Sequence, residues 1–105
     1  MSDDHILVQK NSGVATIIFN RPEMRNAINY DMWSRIPEIM RDFEEDREVR
    51  IALVRGAGDR AFIAGADISE FKTLRSDPKN VKMYDEATGL ATRSMVDFPK
   101  PLIAM

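Results

Sequence analysis

The stretch AFIAGADISEF, residues 61–71, joins two kinds of structure with almost no side chain between them. Ala61, Phe62 and Ile63 read as a buried strand, and Asp67, Ile68, Ser69 and Glu70 read as the first turn of a helix. Between them stand Ala64, Gly65 and Ala66. A reacting atom can approach the main chain closely only where side chains are small. At a strand end that feeds a helix, backbone N–H groups are left unpaired and their dipole favours negative charge. Such N–H groups, aimed at an oxygen that gains charge, make an oxyanion hole. The same residues also fit a tight strand-to-helix turn capped by Asp67 or Ser69, and taken alone the stretch leaves both readings open.

Other chemistry is thinly supplied. The chain has no cysteine, so thiolate nucleophiles, thiolate metal sites and disulfides are excluded. Its single histidine, His5, sits near the N-terminus, where a frayed end is expected. Asp67 and Glu70 could pose as an acid/base pair, but a helix cap and a solvated first-turn acid account for them. Asp42, Glu44, Glu45 and Asp46 read as the solvent face of a helix. Asn20 and Asn26 are expected to hold a loop by side-chain hydrogen bonds rather than touch a substrate. The 105 residues allow one domain or part of one. The 15 basic and 17 acidic residues are mixed along the chain, which argues against a nucleic-acid or membrane-surface footprint. No apolar run approaches the roughly 20 residues of a membrane span, and the acidic start lacks a signal-peptide core. The expected location is cytoplasmic.

The elements that must position residues 61–71 follow from periodicity. Residues 6–10 and 14–20 are β-rich runs joined by a three-residue loop, Asn11, Ser12 and Gly13, which predicts a hairpin. Met32, Ile36, Ile39, Met40 and Phe43 lie on one face of a helix over residues 31–47, capped by Asn29 or Asp31. Pro37 interrupts that pattern; a kink is preferred to a later start at Ser34. Trp33 is expected to pack this helix against its neighbours. Residues 51–56, IALVRG, predict a strand covered on both faces, and residues 56–59 a turn. A short helix is expected from Ser69 to about Leu74, then a polar linker over residues 75–80. Val81, Tyr84, Ala87, Ala91 and Met95 mark a second helix stopped by Pro99, and PLIAM, residues 101–105, begins a buried strand.

Three segments, taken in order and with their spacing, carry a resemblance. FNRPEMRNAI (19–28), FIAGADISEF (62–71) about 40 residues on, and PKPLIAM (99–105) resemble the enoyl-CoA hydratase/isomerase, or crotonase, family. The likeness runs from about residue 6 to residue 105. It implies an α/β fold, a spiral of ββα units of which only the N-terminal ones are present in residues 1–105. It implies that the Ala66 N–H donates one of two hydrogen bonds to a thioester oxygen that becomes an enolate, a bond that strengthens in the transition state. By the same resemblance Glu23, Met24, Arg25 and Ala27 line the nucleotide end of coenzyme A. Ala64, Asp67 and Ile68 border the pantetheine and adenine, and Gly65 belongs to the same CoA-binding set. Arg25 is the candidate for a CoA phosphate, because a guanidinium suits that geometry; a solvated loop arginine is its alternative.

The family's second oxyanion donor and its catalytic carboxylates fall after the strand that PLIAM starts. The chain is therefore expected to be the N-terminal part of a larger acyl-CoA enzyme and to be inert alone. The alternative is a non-catalytic fragment that binds CoA or serves as an interaction module. Hydration of a trans-2-enoyl-CoA is the first choice of reaction, with isomerisation or another acyl-CoA reaction of the family as alternatives. No metal and no cofactor beyond the CoA of the substrate is expected. The complete protein is expected to form a homotrimer or a dimer of trimers, without nucleic-acid or membrane partners.

Overall fold

A computed structural model describes residues 5–24, 26–58 and 77–105. Four strands form one mixed sheet in the order β1-β2-β3-β4, with β1 Ile6–Asn11, β2 Val14–Phe19, β3 Ile51–Gly56 and β4 Leu102–Ala104. β1 and β2 are antiparallel, and β2, β3 and β4 run parallel. Two helices complete the described fold, α1 Tyr30–Glu45 and α2 Pro78–Val96.

The hairpin turn is one residue shorter than its sequence suggests. Asn11 still pairs with Val14, so only Ser12 and Gly13 form the loop, both at positive φ, 52° and 85°. Two positive φ angles give a turn whose twist matches that of the strands, and this is why the strands can close so tightly.

Asn29 caps α1 through its side chain, which accepts a hydrogen bond from the Met32 N–H at 2.9 Å. The helix starts at Tyr30 and runs through Pro37, so the later start at Ser34 is excluded. The proline removes only the one N–H that would bond back to residue 33. Met32, Ile36, Met40 and Phe43 are buried and meet Ala15, Ile17 and Phe19 of β2 and Ala52 and Val54 of β3 in one core. The register explains the shared face, since Ala15 lies opposite Ala52 and Ile17 opposite Val54. At the far end of α1, the Lys100 ammonium donates to the carbonyls of Phe43 (2.7 Å) and Asp46 (2.9 Å), satisfying acceptors that a helix terminus leaves open.

Three expectations need correction. β3 is not equally covered on its two faces: Ala52 and Val54 are buried, but Ile51 and Leu53 are half-buried. In β4 only Leu102 is half-buried, and Ile103 and Ala104 are exposed. The polar linker ends earlier than residue 80, because Asp77 caps α2 by accepting from the Lys79 N–H at 2.9 Å and Pro78 takes its first position. Trp33 acts as expected: its indole N–H donates to the Tyr84 hydroxyl at 3.1 Å and ties α1 to α2. Tyr84, Ala87 and Ala91 are the buried stripe of α2.

Candidate functional site

Phe19 ends β2, and the chain then makes a compact loop before α1. Its structure follows from one residue. Asn26 is 1% exposed and sits at φ 59°, a left-handed conformation that asparagine tolerates better than most residues. A buried carboxamide is costly unless both of its ends are bonded. Asn26 Oδ1 accepts from the Arg21 N–H at 2.9 Å, and Nδ2 donates to the Ala57 carbonyl at 3.0 Å. The Asn26 N–H returns to the Arg21 carbonyl at 2.7 Å. Residues 21 and 26 thus close a ring around the short 3-10 turn Pro22–Met24. The Arg21 guanidinium reaches over the ring and donates to the Ala27 carbonyl at 3.0 Å.

The other side of this arrangement is the end of β3. Ala57 extends the parallel ladder by donating to the Phe19 carbonyl at 2.8 Å, which fixes its own carbonyl for Asn26. Gly58 follows at φ 79°, and a Cβ there would stand 3.4 Å from the Pro22 Cβ. That distance is ordinary van der Waals contact, so it is the backbone angle that calls for glycine.

The sequence-derived candidates are distributed as follows. Glu23 is exposed on the 3-10 turn, and Met24 ends that turn. Ala27 is buried, 8% exposed, with its carbonyl taken by Arg21. Arg25 and residues 59–76 lie outside the described residues, and with them Ala64, Gly65, Ala66, Asp67, Ile68 and the short helix expected after Ser69. The structure does bring the Arg21–Ala27 loop against Ala57 and Gly58, the residues that lead toward that stretch. Asn26 holds the loop as expected. Arg21 and Ala57 were not singled out from sequence; Ala57 in particular gives no signal, because its partner is 31 positions away. His5 is held better than a frayed end: its carbonyl accepts from the Asn20 N–H at 2.7 Å, and its Nδ1 lies 3.3 Å from Asn29 Nδ2. Two depressions on the described surface lie at the hairpin turn beside Lys10 and Gly13 and between the helices beside Pro37 and Leu90.

Charge is concentrated away from the loop. Lys10 lies 2.7 Å from Asp42 and 2.8 Å from Asp46. Hydrogen bonds to those two carboxylates raise the Lys10 pKa, and the Lys10 ammonium, followed by the Glu48 N–H, lowers that of Asp46. Among the described residues, no group of acidic and histidine side chains could hold a metal ion, and no helix is long and apolar enough to cross a membrane.

The fold agrees with that of known proteins. A family profile described as enoyl-CoA hydratase/isomerase matches residues 14–105. The chain belongs to the enoyl-CoA hydratase/isomerase, or crotonase, family. It is similar to the short-chain-enoyl-CoA hydratase of Clostridium acetobutylicum, 36% identical over 76 residues, which cover 72% of this chain and 29% of that protein. It is 38% identical over 68 residues to 3-hydroxyisobutyryl-CoA hydrolase 1 of Arabidopsis thaliana, covering 65% of this chain and 18% of that one. A crystal structure of an enoyl-CoA hydratase/carnithine racemase from Magnetospirillum magneticum superposes with a TM-score of 0.88 at 38% identity, over 96% of this chain and 38% of that one. The chain thus spans well under half the length of these relatives.

Proposed function

We propose that residues 1–105 form part of an acyl-CoA thioester enzyme that stabilises an enolate, with hydration of a trans-2-enoyl-CoA as its reaction. The observation that carries this reading is the bond from Asn26 to Ala57, which seats the Arg21–Ala27 loop against the strand end that leads to residues 64–68. The loop would supply the nucleotide wall of the CoA site through Glu23, Met24, Arg25 and Ala27, with the Arg25 guanidinium toward a phosphate. Ala64, Gly65, Asp67 and Ile68 would supply the facing wall, and the Ala66 N–H would donate to the thioester oxygen. The described loop suits such a task, since its shape is held by part-buried hydrogen bonds among its own residues and to Ala57.

The hole polarises the thioester, which makes the β-carbon electrophilic and holds the enolate that water addition forms, but it moves no proton. Hydration also requires a base to activate water and an acid to deliver a proton to the α-carbon. Neither is assigned to residues 1–105, so this segment by itself is expected to give no turnover. Homotrimers or dimers of trimers are the proposed assembly of the whole protein.

The likeness to the Arabidopsis hydrolase supports a second reading, thioester hydrolysis at the same hole. The two differ in product: hydration removes the enoyl-thioester absorbance and leaves the thioester, whereas hydrolysis releases the CoA thiol. Ala66→Pro removes the donor N–H in either case. In the protein as the cell makes it, kcat with crotonyl-CoA is expected to fall on the order of 100-fold to 1000-fold. An unchanged kcat would remove Ala66 from the hole.

A further inference from the structure

We propose that Asn26 is a positioning residue of the CoA-thioester site, locking the loop that carries Glu23, Met24 and Arg25 to the strand end that leads to residues 64–68. The inference rests on the acyl-CoA reading above.

The loop does not need the bond to Ala57 in order to close. The Asn26 N–H reaches the Arg21 carbonyl at 2.7 Å, and Asn26 Oδ1 receives the Arg21 N–H at 2.9 Å. The Arg21 guanidinium adds a further strap to Ala27. All of these bonds lie within seven consecutive residues and fix only the loop's own shape. The Nδ2 bond to the Ala57 carbonyl is different, because it crosses 31 positions and fixes where the loop sits relative to the sheet. Its anchor is firm: Ala57 is held to Phe19 by its own N–H at 2.8 Å.

The residue type matches this double task. Glycine would accept φ 59° but offers neither side-chain bond. An ionised aspartate would accept from Arg21 but has no proton for Ala57. Asparagine supplies the backbone angle, the acceptor and the donor together. A ligand gripped from both sides depends on the separation of its two walls, and a displacement of about 1 Å can cost up to about 100-fold in function. A tie between the walls therefore acts on affinity through the residues it places, without touching the ligand.

The experiment compares Asn26→Asp, Asn26→Gly and Ile36→Val in the protein as the cell makes it. Asn26→Asp keeps the loop's internal acceptor and removes the tie. Asn26→Gly keeps the backbone angle and removes both side-chain bonds. Ile36→Val trims the core away from the loop and controls for lost stability. Calorimetric titration with CoA and with crotonyl-CoA is performed where circular dichroism shows each variant folded. Asn26→Asp and Asn26→Gly are each expected to raise Kd by about tenfold or more, while Ile36→Val leaves Kd unchanged. A merely structural role would lower the unfolding midpoint and leave the Kd of folded protein alone. Wild-type affinity in Asn26→Asp, or in Asn26→Gly if the aspartate variant does not fold, overturns the inference while leaving the acyl-CoA reading intact. Failure of the wild-type protein to bind either ligand overturns that reading, and this inference with it.

Discussion

The two turns at opposite ends of β2 use the same rare backbone conformation for different ends. Ser12 and Asn26 both sit at positive φ, 52° and 59°, without being glycine. Ser12 is exposed on a two-residue hairpin, and its hydroxyl reaches only the neighbouring Asn11 side chain at 3.1 Å. Asn26 is buried, and its side chain bonds to two separate segments of backbone. At the hairpin the twist of the strands sets the geometry, so many small polar residues would serve. At the loop one side chain fulfils three requirements, so few would. A turn that only reverses the chain can be loosely specified; a turn that must also hold a fixed place against another segment cannot.

Asn26→Leu tests this contrast most severely. It leaves the half-buried Arg21 N–H and Ala57 carbonyl without the Asn26 side chain and places a branched apolar side chain at φ 59°. The expected loss is about 3 kcal/mol of folding stability, read from urea denaturation. A loss below about 1 kcal/mol would make the two turns energetically alike.

At the hairpin the expected effects are smaller. Gly13→Ala forces a Cβ onto a residue at φ 85°, although the nearest atoms, the Glu48 carbonyl and the Arg50 side chain, stand at 3.5 and 3.6 Å and leave room. Backbone strain alone then sets the cost, about 1 kcal/mol. A neutral result would show that the turn shifts to another type without penalty.

The smallest effect belongs to the charges beside that turn. Lys10 has its pKa raised above its ordinary 10.5, so the stability it adds is present below that pH and is lost as pH rises through the folded value. Asp46 is lowered below its ordinary 3.8, so its contribution is present above that pH and is lost as pH falls through the folded value. Stability from this cluster should be level between these limits and decline slightly outside them. Salt should erase it, because exposed pairs are screened. A Lys10→Met variant that loses stability equally at low and high salt would contradict this.

Much of the scaffold was legible in residue patterns. The alternating runs of β1 and β2, the apolar stripe of α1 and the Asn29 cap all appear where local periodicity and capping chemistry place them. The start of α2 was legible too, through Asp77 followed by Pro78, but the polar composition of residues 75–80 pointed instead to a linker. The shortened hairpin turn was not, because Asn11 pairs in the ladder although its residue type favours loops. The uneven cover of β3 was missed for another reason. Four apolar residues in a row say that neither face is polar, not what lies against each face. In the loop, Asn26 was recognisable as a structural residue, but its partner Ala57 has an ordinary side chain and contributes only a carbonyl. Long-range bonds to backbone leave no mark on the partner's residue type, and the tie that defines the loop's place could come only from coordinates.

The Lys100 ammonium on the carbonyls of Phe43 and Asp46 has a consequence in time as well as in space. On the ribosome, the residue that completes the last turn of α1 is made 54 to 57 positions after that turn itself. At ordinary rates of synthesis that is a delay of roughly 3 to 11 s, far longer than a helix needs to form. During that interval the Asp46 carbonyl has the Val49 N–H at 3.1 Å, but the Phe43 carbonyl must wait on water, so α1 emerges with its last turn only partly closed. Lys100 comes immediately before the strand whose pairing extends the sheet, so the closing of α1 and the arrival of β4 are one event.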